Sequence, residues 1–141
     1  QITRYRNKIS GPLIDRIDLH VQVSAIDNHD LLNQSTAPKG ESNDQIQKRV
    51  CAARDRQLKH QGKINNQLTS KEIRHLCPLD EPLRDLMNKA IDRFGLSARG
   101  FYRVLKVARS LADLEASEYP KSRHYQEALS YRPTIPENQH S

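Results

Sequence analysis

The sequence has no tryptophan, two phenylalanines and five tyrosines among its 141 residues. With 35% hydrophobic residues and a mean hydropathy of −0.83, it can build only a thin core, drawn mainly from Leu, Ile, Val and Ala. Such a core suits a small helical bundle of one domain, with part of the chain extended. Cysteine is scarce too. Cys51 and Cys77 lie far apart, with no second Cys or His at ligand spacing, so no metal site is expected. One of them lies inside a helical pattern, where a buried thiol behaves as a small apolar residue. Two cysteines and no signal segment fit a reducing cytosol, and a cytoplasmic location is expected. No apolar run approaches the length of a membrane span, which leaves no expected membrane partner. The first residue is Gln1 rather than Met, within a basic stretch, as in a piece excised from something longer.

Catalytic signatures are missing as well. No G-x-x-x-x-G-K-[ST] phosphate loop occurs, and neither G-x-S-x-G nor H-E-x-x-H is present. The histidines (His20, His29, His60, His75, His124, His140) are scattered, and no pair of carboxylates stands out as an acid/base dyad. The chain alone is not expected to be an enzyme.

What is present is positive charge. The net charge is +6 and the isoelectric point near 9.5, which favours an anionic partner such as a nucleic acid or a nucleotide phosphate. One arginine stands out by position. In Ser10-Gly11-Pro12-Leu13-Ile14-Asp15-Arg16-Ile17-Asp18-Leu19-His20-Val21, Arg16 precedes an alternating run. Ile17, Leu19, Val21 and Val23 fall on one side, and Asp18, His20 and Gln22 on the other, the period of a half-buried strand. A guanidinium fixed at a strand start is a rigid charged fork that could stabilise a transferring phosphoryl group. The plain alternative is a surface ion pair with Asp15 or Asp18.

Residues 1–23 therefore read as a basic arm, a Gly-Pro turn and one β-strand, and residues 24–44 as a polar linker. From there the pattern is helical. Ser42-Asn43-Asp44-Gln45 is a capping box, and Gly62 stops the helix that follows. Ile46, Val50 and Ala53 mark its inner face. Its outer face carries Lys48, Arg49, Arg54, Arg56, Lys59 and Lys63 against Asp55 alone. Thr69-Ser70-Lys71-Glu72 is a second capping box, opening a short helix that Pro78 ends. A third helix begins near Asp80, buries Leu83, Leu86, Met87, Ala90, Ile91 and Phe94, and closes at Gly95. Ser97 caps a fourth, with Phe101, Val104, Leu105, Ala108, Leu111 and Ala112 on one face and Arg99, Arg103 and Lys106 opposite. A last helix runs from about Lys121 to Tyr131, with Tyr125, Ala128 and Leu129 inward. Residues 133–141 have no apolar pattern and read as a disordered tail. Residues 1–44 are expected to be less ordered than the helical part, since a strand without its sheet has unpaired edges.

Taken together these segments resemble one family. Arg4-Tyr5 leading into Ile9 through Val21 is similar to the end of the catalytic core in magnesium-chelatase-like AAA+ ATPases. Gly40-Glu41-Ser42, Arg56-Gln57, Gln61-Gly62-Lys63-Ile64-Asn65 and Leu68 resemble the entry into that family's helical domain. Gly95-Leu96-Ser97-Ala98-Arg99-Gly100-Phe101-Tyr102-Arg103-Val104-Leu105-Lys106-Val107-Ala108-Arg109, with Ala112-Asp113-Leu114, resembles its most distinctive helix. The wording of residues 95–114 is similar to the competence-associated ComM (YifB) branch rather than to the chelatase subunit.

The resemblance implies a mainly α chain: a helical lid over residues 45–132, preceded by the end of an α/β AAA+ core. Nucleotide-binding Walker segments would lie upstream of Gln1. Arg16 would be the arginine finger, reaching the nucleotide of a neighbouring subunit, and Arg99 the sensor-2 arginine, with Arg103 beside it. The intact protein would form a homo-oligomeric ring, a hexamer, that hydrolyses ATP with Mg2+, neither being bound by this chain alone. It would move on DNA, as a helicase or in branch migration during recombination. Two alternatives stand beside that expectation. One is a chelatase motor subunit. The other is a non-catalytic nucleic-acid-binding module using Lys48, Arg49, Arg56, Lys59 and Lys63, whose phosphate contacts would weaken with salt.

Overall fold

The computed structural model describes residues 16–23, 25 and 40–133. The basic arm before Arg16, most of the expected linker and the expected tail lie outside the described residues. Five α-helices follow one another: α1 (Asn43–Gln61), α2 (Ser70–Leu76), α3 (Glu81–Phe94), α4 (Ala98–Leu114) and α5 (Ser122–Ser130). A single 3-10 turn (Asn65–Gln67), which local patterning does not announce, lies between α1 and α2.

The helices α1 to α4 each start where a side chain can satisfy a first-turn amide. Ser42 and Gln45 form a reciprocal capping box on α1, and Thr69 and Glu72 do so on α2. Asp80 accepts from the Leu83 amide at 3.0 Å, with Pro82 in the first turn of α3. Ser97 accepts from the Gly100 amide at 3.0 Å and starts α4. The stops are as local. Gly62 (φ 72°) and Gly95 (φ 57°) turn the chain through the left-handed region at the ends of α1 and α3.

The helices meet on α4, which packs against α1, α2, α5 and the 3-10 turn. Val104, Leu105 and Ala108 from α4 share one core with Leu68, Ile73, Cys77, Leu83, Met87, Ala90, Tyr125, Ala128 and Leu129. Phe101 and Leu111 border it. Each large side chain removed from water here contributes about 1.5–3 kcal/mol. Cys77, at the end of α2, is the buried thiol, and burial pushes it up to about 12. Cys51, inside α1, is exposed.

One element differs from expectation. The inner face of α1 is shorter than its pattern: Ile46 and Val50 are 39% and 42% exposed, and only Ala53 and Gln57 are buried. All of residues 43–52 are exposed, because the bundle covers only the C-terminal part of this 19-residue helix. The apolar stripe continues past its partner. At residues 17–23 the described residues include no second strand against which the expected strand could pair. Ile17, Leu19, Val21 and Val23 are all exposed.

Two glycines predict opposite outcomes. Gly62→Ala places a Cβ in the left-handed region and is expected to cost about 1 kcal/mol. Gly100 has ordinary helical geometry, and a Cβ there would meet Arg132 Nη2 at 3.5 Å and Leu96 Cδ2 and Ser97 Oγ at 3.6 Å, normal contacts. Gly100→Ala is therefore expected to stabilise by about 0.5–1 kcal/mol through helix propensity. Urea denaturation of both variants checks the two signs.

Glu72 predicts a pH dependence. The Lys63 ammonium at 2.6 Å, then the Thr69 amide and hydroxyl, hold its carboxyl down from an ordinary 4.5 to about 2. A lowered folded pKa means that the unfolded chain takes up the proton first as pH falls. The carboxylate's contribution is thus complete above about 4.5 and is lost as the pH falls toward about 2. In Glu72→Gln the urea midpoint should fall less steeply over that window than in the wild type. Equal slopes would contradict the assignment.

Candidate functional site

The central helix α4 is held by charge as well as by packing. Arg109 and Asp113, one turn apart, are both buried and ion-paired. Arg109 Nε donates to Asp113 Oδ1 at 3.0 Å, and its Nη2 donates to the Ser117 carbonyl at 3.1 Å. Nη1 reaches the Glu118 carbonyl. The other Asp113 oxygen accepts from Asn65 Nδ2 at 2.8 Å. Arg56 Nη1 donates to the Asp113 backbone carbonyl at 2.7 Å. Asn65 is fixed in turn, its amide donating to Gln57 Oε1 at 3.1 Å and its Oδ1 accepting from Gln61 at 2.8 Å. Every charge in this cluster has a partner, the condition under which a buried ion pair is tolerated. It joins α1, the 3-10 turn, α4 and the chain after α4.

The same face of α4 continues toward its N-terminus: Lys106 lies seven residues, about two turns, before Asp113, and Arg99 seven before Lys106. Arg99, Arg103 and Lys106 follow one another along it and open onto one groove of about 590 Å³, which Asp18, Asn66, Ser70 and Tyr102 also line. Arg99 is exposed; Arg103 and Lys106 are half-buried. Arg103 is ion-paired with Asp18, and its Nε is buried without a partner among the described residues. Lys106 donates to the Asn66 carbonyl at 2.9 Å. Burial first, and then repulsion by Arg103, push its ammonium below the ordinary lysine range, with Glu72 pulling the other way. An anion entering the groove would favour the charged form. Arg74 lies over the Tyr102 ring, 5.5 Å from its centroid, adding a further cation on this side of the molecule.

The segment after Arg16 docks beside that groove. Arg132 Nη1 donates to the Ile17 carbonyl at 3.0 Å, and the His20 amide donates to the Tyr131 carbonyl at 2.9 Å. Arg16 itself is exposed. Asp18, one of the two acids named above as ion-pair partners for Arg16, instead binds Arg103; Asp15 lies outside the described residues.

The basic face of α1 is less free than its sequence implies. Arg49 pairs with Glu41 at 2.6 Å, Lys63 with Glu72, and Arg56 is spent on the Asp113 carbonyl. Lys48 and Lys59 are exposed. Sequence reasoning gave no role to Gln57, Asn65, Arg109, Asp113 or Arg132. Their signal was polarity at inward positions, which has no local period. His124 is a satisfied core histidine: its Nδ1 accepts from the Lys121 amide at 2.8 Å and its Nε2 faces Glu115 at 3.0 Å.

Among the described residues no group of three or more His, Cys, Asp or Glu side chains could hold a metal ion, and no helix is long and apolar enough to cross a membrane.

A helical bundle presenting an arginine pair at the start of its central helix can be compared with known proteins. Residues 40–132 match the family described as magnesium chelatase, subunit ChlI C-terminal, and residues 1–31 match magnesium chelatase, subunit ChlI. The competence protein ComM of Haemophilus influenzae is 39% identical over 135 residues, 96% of this chain and 26% of its own length. The protein YifB of Escherichia coli is 41% identical over 132 residues, 94% of this chain and 26% of its own. Its namesake in Salmonella typhimurium is 40% identical with the same coverage. The chain thus spans about a quarter of the length of the curated relatives it matches. The matches run through the Arg16 segment and the whole of α4, and on them the chain belongs to the magnesium chelatase ChlI family, with relatives named ComM and YifB.

Proposed function

We propose that this chain is the C-terminal part of a ring-forming AAA+ ATPase, in which Arg16 and Arg99 act on the phosphates of ATP bound by an adjacent subunit. The observation that carries this reading is the groove on α4. Three cations on one face of the central helix, one of them exposed and one with a buried donor that has no partner among the described residues, suit a polyphosphate. Arg99, with Arg103 and Lys106 beside it, would hold phosphate oxygens. Arg16 would approach the terminal phosphate as it is transferred, where a planar guanidinium neutralises charge that grows in the transition state. ATP supplies the phosphoryl group, and Mg2+ would arrive with it from the rest of the ring, since the described residues offer no carboxylate cluster.

The work driven by hydrolysis is DNA remodelling, as a helicase or in branch migration during recombination. Support comes from the net charge of +6 and from the likeness over nearly the whole chain to a protein named for competence. The Lys48–Lys63 side of α1 adds little of its own, because Arg49, Arg56 and Lys63 already have intramolecular partners. A second reading, a chelatase motor, is favoured by the family description matched over residues 40–132. It uses the same arginines and differs in the partner that stimulates turnover.

ATP turnover by the intact protein, with and without branched DNA, tests the proposal. DNA should stimulate the wild type. Arg16→Ala and Arg99→Ala should each lower turnover by at least about a hundredfold while nucleotide still binds, the scale expected for an arginine at a transferring phosphoryl group. Turnover indifferent to both substitutions would remove the site assignment. Indifference to DNA, with stimulation by a porphyrin-binding partner, would favour the chelatase motor.

A further inference from the structure

The residues that follow Arg16 have little apolar anchoring of their own. Ile17 and Leu19 are 42% and 48% exposed, and residues 17–23 form no ladder with another strand among the described residues. Yet the segment has a fixed place, and polar contacts from the bundle supply it. Arg132 Nη1 donates to the Ile17 carbonyl at 3.0 Å, Arg103 pairs with Asp18, and the His20 amide donates to the Tyr131 carbonyl at 2.9 Å. Three consecutive features of the chain immediately after Arg16 are therefore held by residues of the bundle.

Arg132 is the deepest of these anchors. It is 7% exposed, and its guanidinium lies along Gly100, where a Cβ would come within 3.5 Å of Nη2. Gly100 belongs to the first turn of α4, next to Arg99. One buried guanidinium thus lies beside the turn that carries Arg99 and bonds the chain that follows Arg16. The arrangement is specific to arginine. Its planar fork can lie flat against a helix turn while one nitrogen reaches sideways to a carbonyl, and its charge strengthens that bond. A lysine can offer the charge but not the plane.

We propose that Arg132 is a positioning residue for Arg16: it clamps residues 17–20 onto the first turn of α4, so that Arg16 and Arg99 are presented as one unit. The proposal rests on the reading of Arg16 as a phosphate-reaching arginine. Misplacement of such a group by about 1 Å can cost about a hundredfold in rate, so an anchor two side chains away has leverage on catalysis without touching nucleotide. Asp18 and Arg103 form the second, more exposed side of the clamp, open to the groove.

The test combines hydrogen exchange with steady-state ATP kinetics on the intact protein, for Arg132→Ala, Arg132→Lys, Asp18→Asn and Arg16→Ala. Arg132→Ala should speed exchange of the His20 amide at least tenfold, while Val104 and Leu105 keep their protection and so report an intact bundle. It should lower kcat at least tenfold and leave KM for ATP within twofold. Arg132→Lys should recover part of the loss. Asp18→Asn, a substitution at an exposed residue with no risk to the core, should show the same pattern in weaker form. Unchanged His20 exchange in both Arg132→Ala and Asp18→Asn would overturn the clamp. Faster exchange with wild-type kcat in Arg132→Ala, alongside an inactive Arg16→Ala, would overturn the positioning role. Wild-type turnover by Arg16→Ala would instead bring down the finger reading itself, which exchange does not measure, so the two failures are told apart.

Discussion

Asp113 is the residue on which the arrangement depends. Its carboxylate accepts from Arg109 on the same helix and from Asn65 on the 3-10 turn, and its carbonyl accepts from Arg56 on α1. A buried carboxylate without such partners would be intolerable, and removing one member of a buried pair typically costs about 3–5 kcal/mol. With them it fixes the rotation of α4 about its own axis. Arg109 also reaches the carbonyls of Ser117 and Glu118, just past Ala116, which sits in the left-handed region at φ 57°. That strained turn, ordinarily a glycine position, is held by bonds on its far side.

The rotation of α4 sets where the rest of the Asp113 face points, from Lys106 back to Arg99. Arg99 and Arg103 stand in the first turns of the helix, where positive charge opposes the helix dipole at a cost below about 1 kcal/mol. Ser97 caps the helix and Asp18 pairs with Arg103, which leaves Arg99 as the exposed arginine of the two. Lys106 is different. It is partly desolvated, already bonded to the Asn66 carbonyl and repelled by Arg103, which makes it the cation whose charge state is most sensitive to an incoming anion. The groove is therefore a graded site, with an exposed arginine at its mouth and a perturbed lysine further along α4.

Features that depend on a few neighbouring residues could be read from the sequence. Ser42, Thr69 and Ser97 cap the helices they announce, Gly62 and Gly95 end theirs, and the apolar stripes of α3, α4 and α5 face the core. Features set by distant partners could not. The stripe through Ile46 and Val50 is as regular as any other, but the reach of the bundle along α1 is not written in α1. Asn65 and Asp113 are 48 residues apart, and Arg103 and Asp18 are 85 apart. Each looks like ordinary surface polarity until the fold brings its partner. The candidate site divides the same way. Arg99 and Arg103 were marked by a helix cap and a face, whereas Arg132 lies 115 residues from the carbonyl it holds.

On the proposed function, α4, held by Asp113, presents Arg99 to a nucleotide bound by a neighbouring subunit. A structure of the assembled protein with a non-hydrolysable ATP analogue tests this most directly. The Arg99 guanidinium is expected within hydrogen-bond distance of a phosphate oxygen, about 3 Å, with the Arg109–Asp113 pair intact further along α4. An Arg99 side chain facing solvent, with nucleotide bound and no residue of α4 near its phosphates, would contradict it.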